Sequence, residues 1–188
     1  DLENKNGGPT YETNAKTYEQ KVKNLWDANE FKYRPLNLPE ISCTLKHLEA
    51  MRRIAEGEDE MGLILEDDCV FKSGVESFLS SLKTGEWDAI FLGEGCGDFF
   101  QKVKLSSSKQ VTDDLFKIPH PATNCAEAYV ITKEAAKKVY ESCKPFHLIS
   151  DWEFAYQFYK FDMDILWRYP SLVKQGSKTG MYKSSLDL

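Results

Sequence analysis

No stretch of this sequence is apolar for long enough to cross a bilayer, and no signal-peptide pattern opens it. A membrane span is excluded from these residues and a cytoplasmic setting is expected. The lumen of the endoplasmic reticulum is the expected setting if a longer chain carries a signal peptide. An excess of positive charge is also missing: 24 Lys and Arg against 30 Asp and Glu leave a formal net charge of −6. General binding to nucleic-acid backbones is therefore excluded, although a local basic groove for a small anion is not. Cys43, Cys69, Cys96, Cys125 and Cys143 contain no C-x-x-C pair and no finger-like Cys/His spacing, which argues against a structural zinc site. Their odd number and wide spacing suit free thiols in a reducing compartment, with one disulfide left open. The absence of any Asn-x-Ser/Thr sequon agrees with a non-secretory life.

What is present fits one α/β domain with a sizeable core, since 188 residues are too few for two large ones. Residues 1–15, with Gly7-Gly8-Pro9, read as a flexible lead-in to a domain over 16–188. Ala15 to Trp26 carries a weak helical pattern. The first strong helix spans Leu38 to Glu56, with Asn37 and Glu40 as a capping box and Ile41, Leu45, Leu48 and Ala55 as its apolar stripe. Met61 to Leu65 is a continuous apolar run, as in a central strand covered on both faces. It leads straight into Glu66-Asp67-Asp68.

Ser73 and Glu76 suggest a second capped helix burying Val75, Phe78, Leu79 and Leu82, closed by Gly85. Asp88 to Leu92 reads as a buried strand ending in the glycine-rich loop 93–98. The polar stretch from Gln101 to Asp114 reads as a loop. A strand is expected from Ala128 to Ile131, then a helix capped by Thr132, a helix opened by Ser150 and Glu153, and a strand from Ile165 to Tyr169. Such alternation predicts a sheet flanked by helices, with ligands at the carboxyl ends of its strands. The acid run and the 93–98 loop both leave strands there.

Three consecutive acids repel one another and are costly to hold together. An exposed acidic turn is one reading. The other is a site for a hard divalent cation, Mn²⁺ or Mg²⁺, which would neutralise and orient a diphosphate leaving group.

The segment from Pro39 to Leu48, followed by Leu63-Ile64-Leu65-Glu66-Asp67-Asp68-Cys69-Val70-Phe71, resembles glycosyltransferase family 25, which includes lipopolysaccharide and collagen galactosyltransferases and viral relatives. Asp88 to Gly93 is similar to that family's D-x-I-x-L-G strand, and Thr123 to Thr132 to its T-x-x-Y-x-I-S/T strand. Ala135 to Val139 is similar to the helix that follows. Ile149-Ser150-Asp151-Trp152 is similar to its Asp-Trp acceptor-side motif, and Tyr169 to Gln175, followed by Ser177, to its closing P-x-x-x-Q segment. The likeness covers roughly residues 38 to 178 in the family's order. Two positions depart from the pattern: Pro39 stands for the usual Gly and Lys46 for the usual Ser. The family's opening nucleotide-binding strand, of the type I-x-V-I-N-L, is not evident before residue 38.

The resemblance implies a GT-A fold, a Rossmann-like mixed, mostly parallel sheet flanked by helices in a single domain. It implies a hexosyltransferase, galactosyl or glucosyl, using a nucleotide-diphosphate sugar, UDP-linked above all, with Mn²⁺ (or Mg²⁺). Transfer would go with inversion to a hydroxyl of a glycan or glycoprotein. Asp68 and Glu66 are the expected metal ligands. Asp67, His47, Gln175 and Ser177 are expected on the donor side, Trp152 and Asp98 on the acceptor side, and Asp151 as the base for the acceptor hydroxyl.

Plainer readings stand beside these. Asp151 also suits a helix start, with Ser150 and Glu153 as a capping box. Trp152 also suits a core, and His47 a satisfied structural histidine. Lys174 and Lys178 fit either diphosphate binding or a solvated basic tail. Asp98 and Glu94 are weaker base candidates than Asp151, His120 reads as a rigid turn residue, and Phe154, Tyr156, Phe158, Tyr159 and Phe161 read as core. Two further function classes remain: a catalytically inactive carbohydrate- or nucleotide-sugar-binding module of the same fold, and a metal-dependent phosphohydrolase. The second calls for another carboxylate/His metal set, which the spacing does not supply.

Overall fold

Helix α1 spans Leu38–Glu56, the bounds its sequence predicts. Asn37 accepts the Glu40 N–H at 2.9 Å while the Glu40 carboxylate accepts the Asn37 N–H at 2.9 Å, so the capping box closes. The structure, a computed structural model, describes residues 36–94, 109–117, 126–146 and 148–183. The lead-in, the Ala15 to Trp26 pattern, Asp98, His120, Thr123, Cys96 and Cys125 lie outside the described residues. On α1 the buried face is Thr44, His47, Leu48 and Met51 rather than the purely apolar stripe, and Leu45 is 43% exposed. Polar residues are buried with their hydrogen bonds satisfied: the Thr44 hydroxyl donates to the Glu40 carbonyl one turn back, and His47 has the Tyr129 hydroxyl as its partner.

The strands are β1 (Met61–Leu65), β2 (Cys69–Phe71), β3 (Ala89–Phe91), β4 (Lys109–Gln110), β5 (Leu115–Lys117), β6 (Ala128–Thr132), β7 (Ile165–Arg168) and β8 (Val173–Gln175). The remaining helices are α2 (Val75–Ser81), α3 (Lys133–Ser142) and α4 (Ser150–Lys160). Six strands form one sheet in the order β1-β6-β3-β7-β5-β4, while β2 and β8 form a separate antiparallel ribbon. The fold is α/β, but only the β3–β7 pairing in the large sheet is parallel, so the sheet is not the mostly parallel one expected. Strand β6 enters from the opposite direction and separates β1 from β3. Strands β1, β3 and β7 nevertheless point the same way, so their carboxyl ends share one edge, as the sequence predicts.

Helices α1, α3 and α4 cover one face of the sheet through Leu48, Met51, Ala135, Val139, Phe154 and Phe158. The other face packs Ile90, Leu92 and Val130 against Leu172 and Val173 beside the ribbon, with Val75, Phe78 and Leu79 of α2 partly buried against them. Phe91 stacks on Tyr129 at 5.2 Å and on Trp167 at 5.3 Å, joining β6, β3 and β7 side to side. Each such pair contributes about 0.5–1.5 kcal/mol beyond its buried area.

Several local expectations change. Strand β1 has β6 as its partner and, among the described residues, lies at the sheet edge; Leu63 and Leu65 are 37% and 40% exposed. An apolar run has the same sequence whether one face or both are covered, and β3 and β6 are the strands covered on both. Helix α2 starts from Gly74 in the left-handed conformation (φ 93°), with no side-chain cap from Ser73, and it ends at Ser81, before Gly85. The end of the expected 101–114 loop is instead part of a hairpin, β4–β5, whose β5 pairs with β7. The tail from Val173 to Gln175 is a strand.

Replacing Asn37 by Ala should cost about 1 kcal/mol and by Gly only a few tenths, measured as the shift of a urea unfolding midpoint at constant slope.

Candidate functional site

The acid run occupies a tight turn between β1 and β2, closed by the Cys69 N–H on the Glu66 carbonyl at 3.4 Å. Glu66 and Asp68 leave it in different directions. One acceptor holds the turn to the sheet. The Glu127 carbonyl receives the Glu66 N–H at 2.8 Å and the Cys69 thiol as well. The Glu127 side chain is 1% exposed and packs over Gly93, where a Cβ would lie 2.1 Å from its carboxylate. That contact explains the glycine at the end of the β3 strand motif.

Asp68 faces the β8 end of the ribbon. Its Oδ2 accepts the Ser177 N–H at 3.1 Å, and its carbonyl accepts the Gly176 N–H at 2.7 Å. A Cβ on Gly176 would meet both the Tyr182 ring, at 2.1 Å, and the Asp68 carbonyl, at 2.8 Å, so only glycine fits this close approach. Ladder pairing sets Cys69 opposite Gln175. Two oxygens here, Asp68 Oδ1 and Gln175 Oε1, are buried without a hydrogen-bond donor among the described residues. Orphaned buried acceptors are costly, and a hard cation satisfies them. Asp68 and the Gln175–Ser177 segment, distant in the chain, thus lie side by side.

Glu66 faces α1. Its Oε1 lies 3.4 Å from His47 Nε2, and His47 Nδ1 lies 3.0 Å from the Tyr129 hydroxyl. The His47 ring stacks on Tyr129 and meets Phe154 edge-on. Burial works against charging His47, but hydrogen bonds with Cys43 and Glu66, and their charge, outweigh it and raise its pKa to about 9. Burial pushes the Tyr129 hydroxyl pKa well up, so it stays neutral. Between α1 and the end of β1 opens a cleft of about 460 Å³, lined by Cys43, Lys46, His47, Ile64, Glu66 and Asp67 among others. Asp67 is exposed at its rim.

The acceptor-side candidates sit at the start of α4. Asp151 is half-buried, and its Oδ1 accepts its neighbour's N–H, that of Trp152, at 3.0 Å. The predicted Ser150/Glu153 capping box does not form. Ile149 is the N-cap, and Ser150 Oγ lies 3.6 Å from Cys43 Sγ. The Glu153 carboxylate turns inward to the Leu148 N–H and the Gln157 amide. The Ser150 contact brings the start of α4 against the helix that lines the cleft. Trp152 is 8% exposed and leaves little ring for a sugar to stack on. Glu94 is engaged by Lys72 at 2.6 Å and by Ser171 at 3.3 Å, which suits a structural anchor better than a base. Lys174 and Lys178 are exposed. Phe154, Tyr156 and Phe158 are core as expected, while Tyr159 is 39% exposed.

Sequence reasoning passed over Cys43, Tyr129 and Glu127. The first carried a readable signal, its place one helical turn before His47. The other two acquire their partners only through strand pairing.

A family model described as glycosyltransferase family 25 (LPS biosynthesis protein) matches residues 8–154. The match starts well upstream of the likeness read from the motifs and stops short of the Gln175 segment. A "Glycosyltransferase 25 family member" from Anopheles gambiae is 26% identical over 117 residues. The alignment covers 60% of this chain and 19% of that relative, so the chain corresponds to a small part of the relative's length.

The site carries a pH signature. Because the folded-state pKa of His47 is raised, its contribution to stability is complete below the unfolded value of about 6.5 and is lost as pH rises through about 9. An NMR titration of His47 should place its midpoint near the upper value, with Glu66→Gln lowering it.

Proposed function

The chain belongs to glycosyltransferase family 25, and from that premise we propose that it moves a hexose, galactose or glucose, from a nucleotide-diphosphate sugar to a hydroxyl of a glycan or glycoprotein. The reaction proceeds on a GT-A framework with inversion at the anomeric carbon, and a UDP-sugar is the donor. The observation that supports this reading is the approach of Asp68 to the Gln175–Ser177 segment, where two buried oxygens lack donors among the described residues. An all-oxygen set of this kind suits Mn²⁺ or Mg²⁺. Asp68 would hold the ion, with the unpaired Gln175 oxygen as a second hard donor, and the ion would neutralise and orient the diphosphate leaving group.

The chain's own residues supply the rest. The Ser177 N–H fixes one Asp68 oxygen and leaves the other free for the ion. Asp67, at the rim of the cleft, takes the donor ribose, and Lys46 on the facing helix meets diphosphate charge. His47 is too buried to reach far into the cleft, so its part is to position Glu66. Asp151, at the start of α4, accepts the proton of the acceptor hydroxyl as that oxygen attacks the anomeric carbon. The nucleoside diphosphate departs from the opposite side. Trp152 steadies Asp151 through its backbone N–H.

Calorimetric titration with UDP-, GDP- and TDP-sugars, with and without Mn²⁺, tests the donor site. Metal-dependent binding of a UDP-sugar is expected, with Asp68→Ala abolishing it. Binding indifferent to both metal and Asp68 would sink this assignment. Asp151→Asn should lower turnover by about 10²-fold or more while leaving donor affinity unchanged. Donor binding without transfer to any acceptor would favour an inactive binding module.

A further inference from the structure

We propose that Cys43, His47 and Glu66 form a second metal site, one for a borderline transition-metal ion of the zinc class, apart from the all-oxygen set at Asp68 and Gln175. One ligand atom from each of the three side chains lies within 4.8 Å of the others. Cys43 and His47 are four residues apart on α1 and so share a face, and Glu66 approaches from the end of β1. Tetrahedral zinc with bonds of about 2.0–2.3 Å requires ligand atoms about 3.5 Å apart. His47 Nε2 and Glu66 Oε1 stand at 3.4 Å, one edge of that tetrahedron, before any ion arrives.

The surroundings are those of a built site. The Tyr129 hydroxyl meets His47 Nδ1 at 3.0 Å, which fixes the ring with Nε2 toward Glu66. The Ser150 hydroxyl lies 3.6 Å from Cys43 Sγ, close enough to support a thiolate. The 460 Å³ cleft opens on all three residues and leaves a fourth position for water or a ligand. Ion binding displaces the thiol proton and any proton on His47 to solvent. The donor chemistry separates the two sites: sulfur and imidazole nitrogen select zinc-like ions, whereas Asp68 and Gln175 offer only hard oxygen. A bound ion would tie α1 to the acid turn. The inference does not depend on sugar transfer.

Cobalt(II) reports such a site optically. After chelator treatment, the protein should bind Co²⁺ with a thiolate charge-transfer absorption and the visible bands of a tetrahedral ion, both removed by Zn²⁺. Cys43→Ser should lose the charge-transfer band, Glu66→Gln should weaken binding about tenfold or more, and Tyr129→Phe should weaken it about tenfold. Asp68→Asn should leave the spectrum intact, although it abolishes Mn²⁺-dependent donor binding, so the two proposals fail separately. Without any variant, Zn²⁺ should slow alkylation of Cys43, resolved from the other cysteines by peptide mapping. A spectrum unchanged in Cys43→Ser, a spectrum lost in folded Asp68→Asn, or Cys43 alkylation indifferent to Zn²⁺ would each overturn the assignment.

Discussion

The acid turn hangs on one backbone carbonyl. Glu127, at the start of β6, accepts from Glu66 before the turn and from the Cys69 thiol after it. That double contact fixes where β1 ends and where the β2–β8 ribbon begins. Burial reinforces it, since the flanking β6 and β3 are covered on both faces and their backbone groups have no water to turn to. Gly93 gives the Glu127 side chain its space, so the anchor is held from both neighbouring strands.

With the turn fixed, the charges separate. Like carboxylates at adjacent positions are costly to hold together, and the turn relieves this by sending Glu66 toward His47 and Asp68 toward the Ser177 N–H. Each side then has its own chemistry. The Glu66 side contains sulfur, an imidazole and a neutral phenol in an open cleft. The Asp68 side contains unpaired oxygens beneath a glycine turn. The ion that would orient the diphosphate is proposed for the second, and a separate ion for the first, beside the cleft proposed to take the donor. The two are neighbours because Glu66 and Asp68 are only two residues apart in the chain.

Much of the scaffold was legible because its signals are local. The capping box at Asn37 closed as written, Thr132 accepts the Ala135 N–H as a cap, and the bounds of α1 and β1 followed from periodicity and the following glycine. The failures share a cause. Ser73 and Ser150 have the composition of caps, but a left-handed Gly74 and an inward-turned Glu153 took those places. The strands β4, β5 and β8 are too short to carry periodicity and exist because β5, β7 and β2 offer them backbone partners. The buried stripe of α1 differed from the apolar one because Thr44 is satisfied by its own helix and His47 by Tyr129 inside.

The sequence by itself determined the main helices and strands, the acid run at a strand end and the colinear motifs of the family, because these depend on spacing along the chain. Only the tertiary structure decided that β6 divides β1 from β3 in antiparallel register, and that the tail returns to set Gln175 and Ser177 beside Asp68. Only it turned Glu66 to meet His47 and Cys43. Those outcomes depend on which distant backbone groups find partners once the sheet closes, and residue spacing carries no record of that choice.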